Sequence, residues 1–502
     1  MAQPSSDAWA DLPVFEKDLY MEHPAVTERS EADARAFRAA RGIMVTDAPS
    51  RTGTSTPGPA QSFEECSFPK YLHTQLLESG FREPSPVQAQ AWPLILSGRN
   101  LVAVAATGSG KTLAYVLPAV VHVNAQPYLD KAKGDGPIVL ALAPTRELVA
   151  QIAAVMEAYG RSSKITVAAV YGGAPRAPQQ RLLRDHACEV VVATPGRLLD
   201  FVDAGDVSLA TRATFLVLDE ADRMLDLGFE PQIRKVSQAT RPDRQTLLFT
   251  ATWPRGVAAA AAELCPDAAA LRVGREARAG PFPFEDADRH VAVLPSDVRH
   301  VLALVPEEEK HARLVSILET RLDPGEAAAG DPKIRRAMVF FSSKARADDA
   351  TRALRSDGFP ALAMHGDKSQ NEREWVLREF RDGTAPVLLA TDVAARGLDV
   401  AGVATVVNYD APGSVEAFVH RAGRTGRRAR VARGERAGDA ADGSDETHAY
   451  DEQTHTFLCP SARADAKVAV ELVATLRANG FDIPSAVAAF ARAPHAGLAA
   501  TR

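Results

Sequence analysis

The sequence predicts an α/β protein of two tandem domains, each a mostly parallel β-sheet flanked by helices on both faces. Three observations predict it. Short apolar runs without polar alternation recur along the chain, as strands buried on both faces require. Segments with helical periodicity separate those runs, which is the rhythm of strand–helix–strand crossovers. The rhythm pauses at a Pro-, Gly- and charge-rich connector, residues 274–297, and then restarts.

Residues 1–62 read as an N-terminal extension ending in VTDAPSRTGTSTPGPAQS (Val45 to Ser62), whose Pro, Gly, Ser and Thr content predicts a flexible linker. The first domain, 63–273, contains the runs LVAVA, IVLALAP, VVVAT, FLVLD and TLLFTAT. Between them, Leu148, Ile152, Val155 and Tyr159 mark one face of a helix. The second domain, 298–495, repeats the pattern with AMVFF, PALAMH, PVLLAT and ATVVNY, separated by helices such as NEREWVLREF. An irregular insertion near 428–453 turns from basic to acidic with little apolar content, and is expected to be mobile. Residues 496–502 form a tail.

At 502 residues, 46% of them hydrophobic, the chain can bury two ordinary cores. Its formal charge of -6 excludes a protein that coats nucleic acid through bulk positive charge, so any grip on a polyanion must come from placed contacts. The four cysteines form no CxxC pair and no zinc-ligand spacing, which suits a reducing compartment. With no leader-like start and no long apolar run, the expectation is a soluble, intracellular protein that avoids membranes.

The segment Ala105 to Thr112, AATGSGKT, follows one apolar run and opens a helical stretch. That is the setting of a phosphate-binding loop. Ala105, Ala106, Thr107, Gly108, Ser109 and Gly110 let backbone N–H groups curl around phosphate, and the helix N-terminus adds its dipole. Lys111 reaches the β/γ-phosphates and the Thr112 hydroxyl can ligate Mg2+. The strict pattern has Gly where Ala105 stands. FLVLDEAD ends a second apolar run in carboxylates, at the strand end where parallel sheets bind ligands. Asp219 there is a magnesium ligand, and Glu220 orients or deprotonates the attacking water. Together these motifs establish a nucleotide hydrolase.

Further motifs follow in order: GFREPSPVQ, PTRELVAQ, Gly172–Gly173, TPGR and TAT in the first domain, then FFSSK, HGDKSQNER, ATDVAARGLD, VVNYD and HRAGRTGR in the second. Taken singly, several are unremarkable turns and caps. In HRAGRTGR, Arg421, Arg424 and Arg427 recur every third residue, and planar guanidinium forks suit phosphate oxygens.

In this order and spacing the set resembles the DEAD-box RNA helicase family, whose core is two RecA-like domains. The resemblance implies ATP and Mg2+ as cofactors and RNA as partner, bound without sequence readout by a monomeric core. It implies that Phe63 stacks on adenine, Gln88 reads its Watson–Crick edge with Phe81, Arg82 and Glu83 alongside, and Gly397 and Asp399 serve the nucleotide, Asp399 at the ribose. Arg146, Gly173, Thr194, Arg197, Gln370, Arg373 and Thr391 then lie on the RNA path. Thr250, Ala251 and Thr252, with Asp222 and His420, couple hydrolysis to strand separation. Arg424 and Arg427 act as arginine fingers, and Arg421 stands away from the phosphates. The family usually has Ser at Thr250, Gln or Glu at Ala106, and Ile at Ala422. LPVFEKDLYMEHPAVTER (Leu12 to Arg29) is similar to the extension of a nuclear, RNA-processing branch. An ATP-locked RNA clamp and a DNA helicase are the alternatives that the same core could serve.

Overall fold

The computed structural model describes residues 15–46, 56–274, 291–295, 297–322, 335–395, 398, 400, 402–425 and 452–493. The chain divides after Val291 into two compact units. In the first, strands pair in the order Ile43–Thr46, Ala269–Val273, Leu101–Ala105, Gln245–Thr250, Phe215–Asp219, Val139–Leu142, Val190–Ala193, Val167–Val170. Every pairing is parallel except Ile43–Thr46, which runs antiparallel to Ala269–Val273. The inner strands are buried on both faces, which is why their sequences are apolar throughout rather than alternating.

Helices Pro86–Leu96, Lys111–Asn124 and Arg146–Gly160 cover one face around a core that includes Trp92, Tyr115 and Phe249. Trp92 is fully buried, and its indole N–H donates to the Leu113 carbonyl at 3.1 Å, fastening the first of these helices to the second. Because the strands are parallel, their carboxyl ends share one edge. The segments that leave that edge begin at residues 106, 143, 171, 194, 220 and 251.

The second unit has a six-stranded, all-parallel sheet in the order Arg299–Leu304, Gln453–Leu458, Val403–Asn408, Arg336–Phe341, Val387–Thr391, Ala361–Met364. Both faces are packed. Ala337, Val339 and Phe341 point into a cluster with helices Lys310–Arg321 and Lys344–Ser356. Met338 and Phe340 point into another with Val376 and Phe380 of helix Gln370–Asp382. The expected insertion falls almost wholly outside the described residues; Gln453 already belongs to an inner strand.

Val45 and Thr46 correct one expectation. They lie in an edge strand, not a linker, because the unpaired side of Ala269–Val273 offers its backbone to the extension. The described part of the extension packs against the first unit. Phe15 meets His122 edge-on at 5.4 Å between centroids, and the Leu19 N–H donates to the Leu96 carbonyl at 2.7 Å.

His122 is itself a constraint on acid stability. Its Nε2 lies 2.8 Å from the Thr214 hydroxyl and 2.9 Å from the Gln126 amide, and burial pushes its pKa down to about 3. An unfolded histidine titrates near 6.5, so the neutral ring stabilises the fold above that pH, and this stabilisation is lost as pH falls toward 3. Each unit of displacement corresponds to about 1.4 kcal/mol. His122→Gln, which keeps a polar partner and cannot titrate, should therefore show a shallower loss of thermal stability between pH 6.5 and 4 than the parent protein. Identical pH profiles would contradict the burial argument.

Candidate active site

The phosphate-loop sequence folds as a strand, a tight loop and a helix: Leu101–Ala105, residues 106–110, and Lys111–Asn124. Gly110 sits at φ 94° and caps the helix. A β-carbon there would lie 2.6 Å from Gln88 Nε2 and 2.8 Å from Ser85 Oγ, so only glycine fits. Lys111 is buried and folds back over the loop, donating from Nζ to the carbonyls of Ala105 at 2.7 Å and Ala106 at 2.9 Å. The hydroxyls of Thr107 and Ser109 are buried and have no hydrogen-bond partner among the described residues. Buried hydroxyls seldom stay unsatisfied, so two orphans in one glycine-bearing loop fit a polyphosphate acceptor.

The first acidic residue of the DEAD segment ends its strand. Asp219 Oδ2 accepts from the Tyr115 hydroxyl at 2.8 Å and its Oδ1 from the Glu220 N–H at 2.9 Å. Burial raises its pKa to about 6, against the lowering influence of Lys111. Thr112 and Asp219 fit a magnesium ion bound through one or two protein oxygens and completed by phosphate and water. Glu220 has left-handed backbone, φ 51° and ψ 52°, a conformation that costs energy in a non-glycine residue and sets it apart from the strand before it.

Asp222 faces the opposite way from Asp219 in its bonding. Its Oδ2 accepts from the Thr252 hydroxyl at 2.6 Å and the Thr252 N–H at 3.0 Å, while the Thr250 hydroxyl donates to the Thr252 carbonyl at 2.9 Å. The DEAD and TAT segments are thus locked together inside the first unit. Thr250 keeps its hydroxyl in this network, and Ala251 is buried beside it.

Gln88 belongs to helix Pro86–Leu96 and joins the loop: its Oε1 accepts from the Ser85 N–H at 3.0 Å, and its Nε2 donates to the Gly110 carbonyl at 3.1 Å. Phe63 is buried against Trp92, at 6.2 Å between ring centroids. Phe81 packs on the same core, Arg82 is exposed, and Glu83 is half-buried.

The other first-unit residues gather along the same sheet edge. Arg146 opens its helix and pairs with Glu147 at 2.8 Å. Gly173 has φ 75°, and a β-carbon there would lie 3.7 Å from Arg146 Nη1. Thr194 caps helix Pro195–Asp203, and Arg197 donates to the Ala174 carbonyl at 3.3 Å.

In the second unit, Gln370 starts its helix and bonds Glu374 at 2.6 Å, Arg373 is half-buried, and Thr391 ends a strand. His420 is buried. Arg424 is buried and donates to the carbonyls of His420 at 3.0 Å and Leu398 at 2.7 Å. Gly397, Asp399 and Arg427 lie outside the described residues. Arg421 grips Asp392 through two bonds, 2.6 and 2.8 Å, and reaches Asn408 and the Asp410 carbonyl. Asp410, absent from the expected set, accepts from the N–H and hydroxyl of Ser342 and from Arg346. Burial alone would raise its pKa; those donors outweigh it and hold the carboxyl below its ordinary range.

Comparison with known proteins follows the same two units. A DEAD/DEAH box helicase family model matches residues 85–260, and a helicase conserved C-terminal domain model matches residues 327–429. The chain is 47% identical over 414 residues to the ATP-dependent RNA helicase DBP2 of Saccharomyces cerevisiae, covering 82% of this chain and 70% of that protein. DBP2 of Chaetomium thermophilum is 47% identical over 416 residues, covering 83% and 69%. The solved structure of S. cerevisiae Dbp5 bound to RNA and ADP BeF3 superposes with a TM-score of 0.64 at 25% identity, covering 86% of this chain and all of that one.

Tyr115 is the functional candidate that the sequence did not single out. Tyr115→Phe should keep the fold while removing the donor that orients Asp219. The expected result is a severalfold higher magnesium concentration for half-maximal nucleotide binding. An unchanged magnesium requirement would remove Tyr115 from the site.

Proposed function

Because the chain belongs to the DEAD/DEAH box helicase family as an ATP-dependent RNA helicase, we propose that its first unit holds ATP through the phosphate loop and that hydrolysis drives RNA release. Lys111 leaves its loop carbonyls for the β/γ-phosphates. Gln88 and Phe63 select adenine, with Phe81, Arg82 and Glu83 beside them. Thr112 and Asp219 would hold Mg2+, which supplies charge neutralisation on the phosphates when bound. Glu220, set off from its strand by a left-handed turn, orients the attacking water.

The observation that carries this reading is the bonded pair Asp222–Thr252, three residues from a magnesium-type carboxylate. Any shift of the Asp219–Glu220 turn on hydrolysis is felt at Thr252, and through it along the edge that carries Arg146, Gly173, Thr194 and Arg197. Those residues, with Gln370, Arg373 and Thr391 of the second unit, meet RNA phosphates and 2′-hydroxyls, a mode that needs no base-edge readout. Arg424 and Arg427 supply guanidinium charge to the phosphoryl transition state, and His420 relays the nucleotide state. ATP and RNA then bind jointly, one strand is bent from A-form geometry, and hydrolysis releases it.

Two substitutions separate binding from chemistry. Lys111→Ala should abolish measurable ATP binding. Glu220→Gln should keep ATP and RNA binding and lower turnover by about 100-fold, the scale of a lost general base. Wild-type turnover in the Glu220→Gln protein would remove the catalytic assignment.

A further inference from the structure

Helix Glu31–Ala40 of the N-terminal extension delivers two arginines to the segment that carries Gln88. Arg41 sets its guanidinium fork on the Glu83 carboxylate, Nη1 to Oε1 at 3.0 Å and Nη2 to Oε2 at 3.3 Å, and lies over the Phe37 ring at 5.3 Å. Arg38 donates from Nε to Gln90 Oε1 at 2.8 Å and from Nη2 to the Pro57 carbonyl at 3.0 Å. Gln90 is fully buried, two residues from Gln88 on the same helix, and its own amide donates to that Pro57 carbonyl at 3.0 Å.

The arginines are held from both sides. Ser30 caps their helix through the Asp33 N–H at 3.1 Å, and Ile43–Thr46 is pinned into the sheet immediately after Arg41. Farther back, Arg29 bonds the Pro59 carbonyl at 2.8 Å and Glu65 at 2.6 Å. Leu19 bonds the Leu96 carbonyl at the far end of the Gln88 helix. The extension therefore grips the approach to this helix, its middle and its end, while Gln88 ties the same helix to Gly110.

We propose that the N-terminal extension is a positioning element of the nucleotide site, in which Arg38 and Arg41 hold the Gln88 segment at the height where it meets both the phosphate loop and the adenine ring. This rests on the nucleotide-site reading given above. Neither arginine contacts the phosphate loop, so both act through Glu83, Gln90 and Gln88. The Arg41–Glu83 pair is partly exposed, with side chains 17% and 37% accessible, and such pairs contribute little to folding stability. Their effect belongs on adenine nucleotide affinity, because a bidentate fork fixes orientation as well as charge.

The test uses the full chain, a fluorescent ADP and thermal melting. Arg41→Ala and Arg38→Ala should each weaken ADP binding by about tenfold, a typical coupling between sites. They should raise KM for ATP and leave kcat at saturation near the parent value; Arg41→Ala should also hold the melting midpoint, whereas Arg38→Ala, which takes a donor from the buried Gln90 amide, should lower it somewhat. Arg41→Lys keeps the charge but loses the fork, so it should recover only part of the affinity. An extension that merely braces the fold would lower the midpoint and leave KM unchanged. Parent-like ADP affinity in a folded Arg41→Ala protein overturns the proposal, and so does full recovery by lysine, which would make the contact one of charge alone. Failure of the parent protein itself to bind ADP would instead overturn the nucleotide-site reading.

Discussion

The parallel direction of the strands is the constraint on which the rest of this molecule depends. Helical crossovers return the chain to the same starting edge, so every strand but the antiparallel Ile43–Thr46 delivers its last residue to the opposite one. Six parallel strands of the first unit, five inner ones and the edge strand Val167–Val170, leave the phosphate loop, the Arg146 turn, the Gly173 turn, Thr194, the DEAD segment and the TAT segment along one edge. Residues more than a hundred positions apart in sequence, such as Tyr115 and Asp219, can then bond directly. Carboxyl ends of open parallel sheets are where such folds place ligands. The second unit repeats the device with Ser342, His365, Thr391 and Asp410 at or just after its strand ends.

Electrostatics tune that edge for an anionic ligand. Lys111 occupies its own loop and donates to two carbonyls, while the Thr107 and Ser109 hydroxyls have no partner among the described residues. A phosphate that draws Lys111 outward replaces two neutral acceptors by a charged one, a stronger partner at low dielectric. Asp219 carries the opposite strain. Burial lifts its pKa to about 6, so an ionised carboxylate there is costly until a cation compensates it.

Much of this was legible in the sequence because the active segments are short and local. The phosphate loop needs only a strand, small residues and a helix start, and it occupies those positions. What the sequence concealed depends on tertiary contact. Tyr115 stands in an apolar helical run, where a tyrosine reads as core, and only the fold brings its hydroxyl to Asp219. Arg38 and Arg41 lie on a polar helix that reads as solvated, and their partners Gln90 and Glu83 lie some 40 to 50 residues away. Ile43–Thr46, Val167–Val170, Ala269–Val273 and Arg299–Leu304 are short or mixed in polarity, and their neighbours in the sheets supply the order that their composition does not. Val45 was misjudged for the same reason: a Pro- and Gly-rich stretch follows it, but an open sheet edge captures it first.

The central claim is that ATP hydrolysis at this edge answers to RNA. Steady-state ATP hydrolysis by the full chain, measured with no nucleic acid, single-stranded RNA, duplex RNA and DNA of matched sequence, tests it most directly. The account predicts slow turnover alone, strong stimulation by both RNA forms, and little by DNA, whose missing 2′-hydroxyls remove part of the contact set. Equal rates in all four conditions would contradict it.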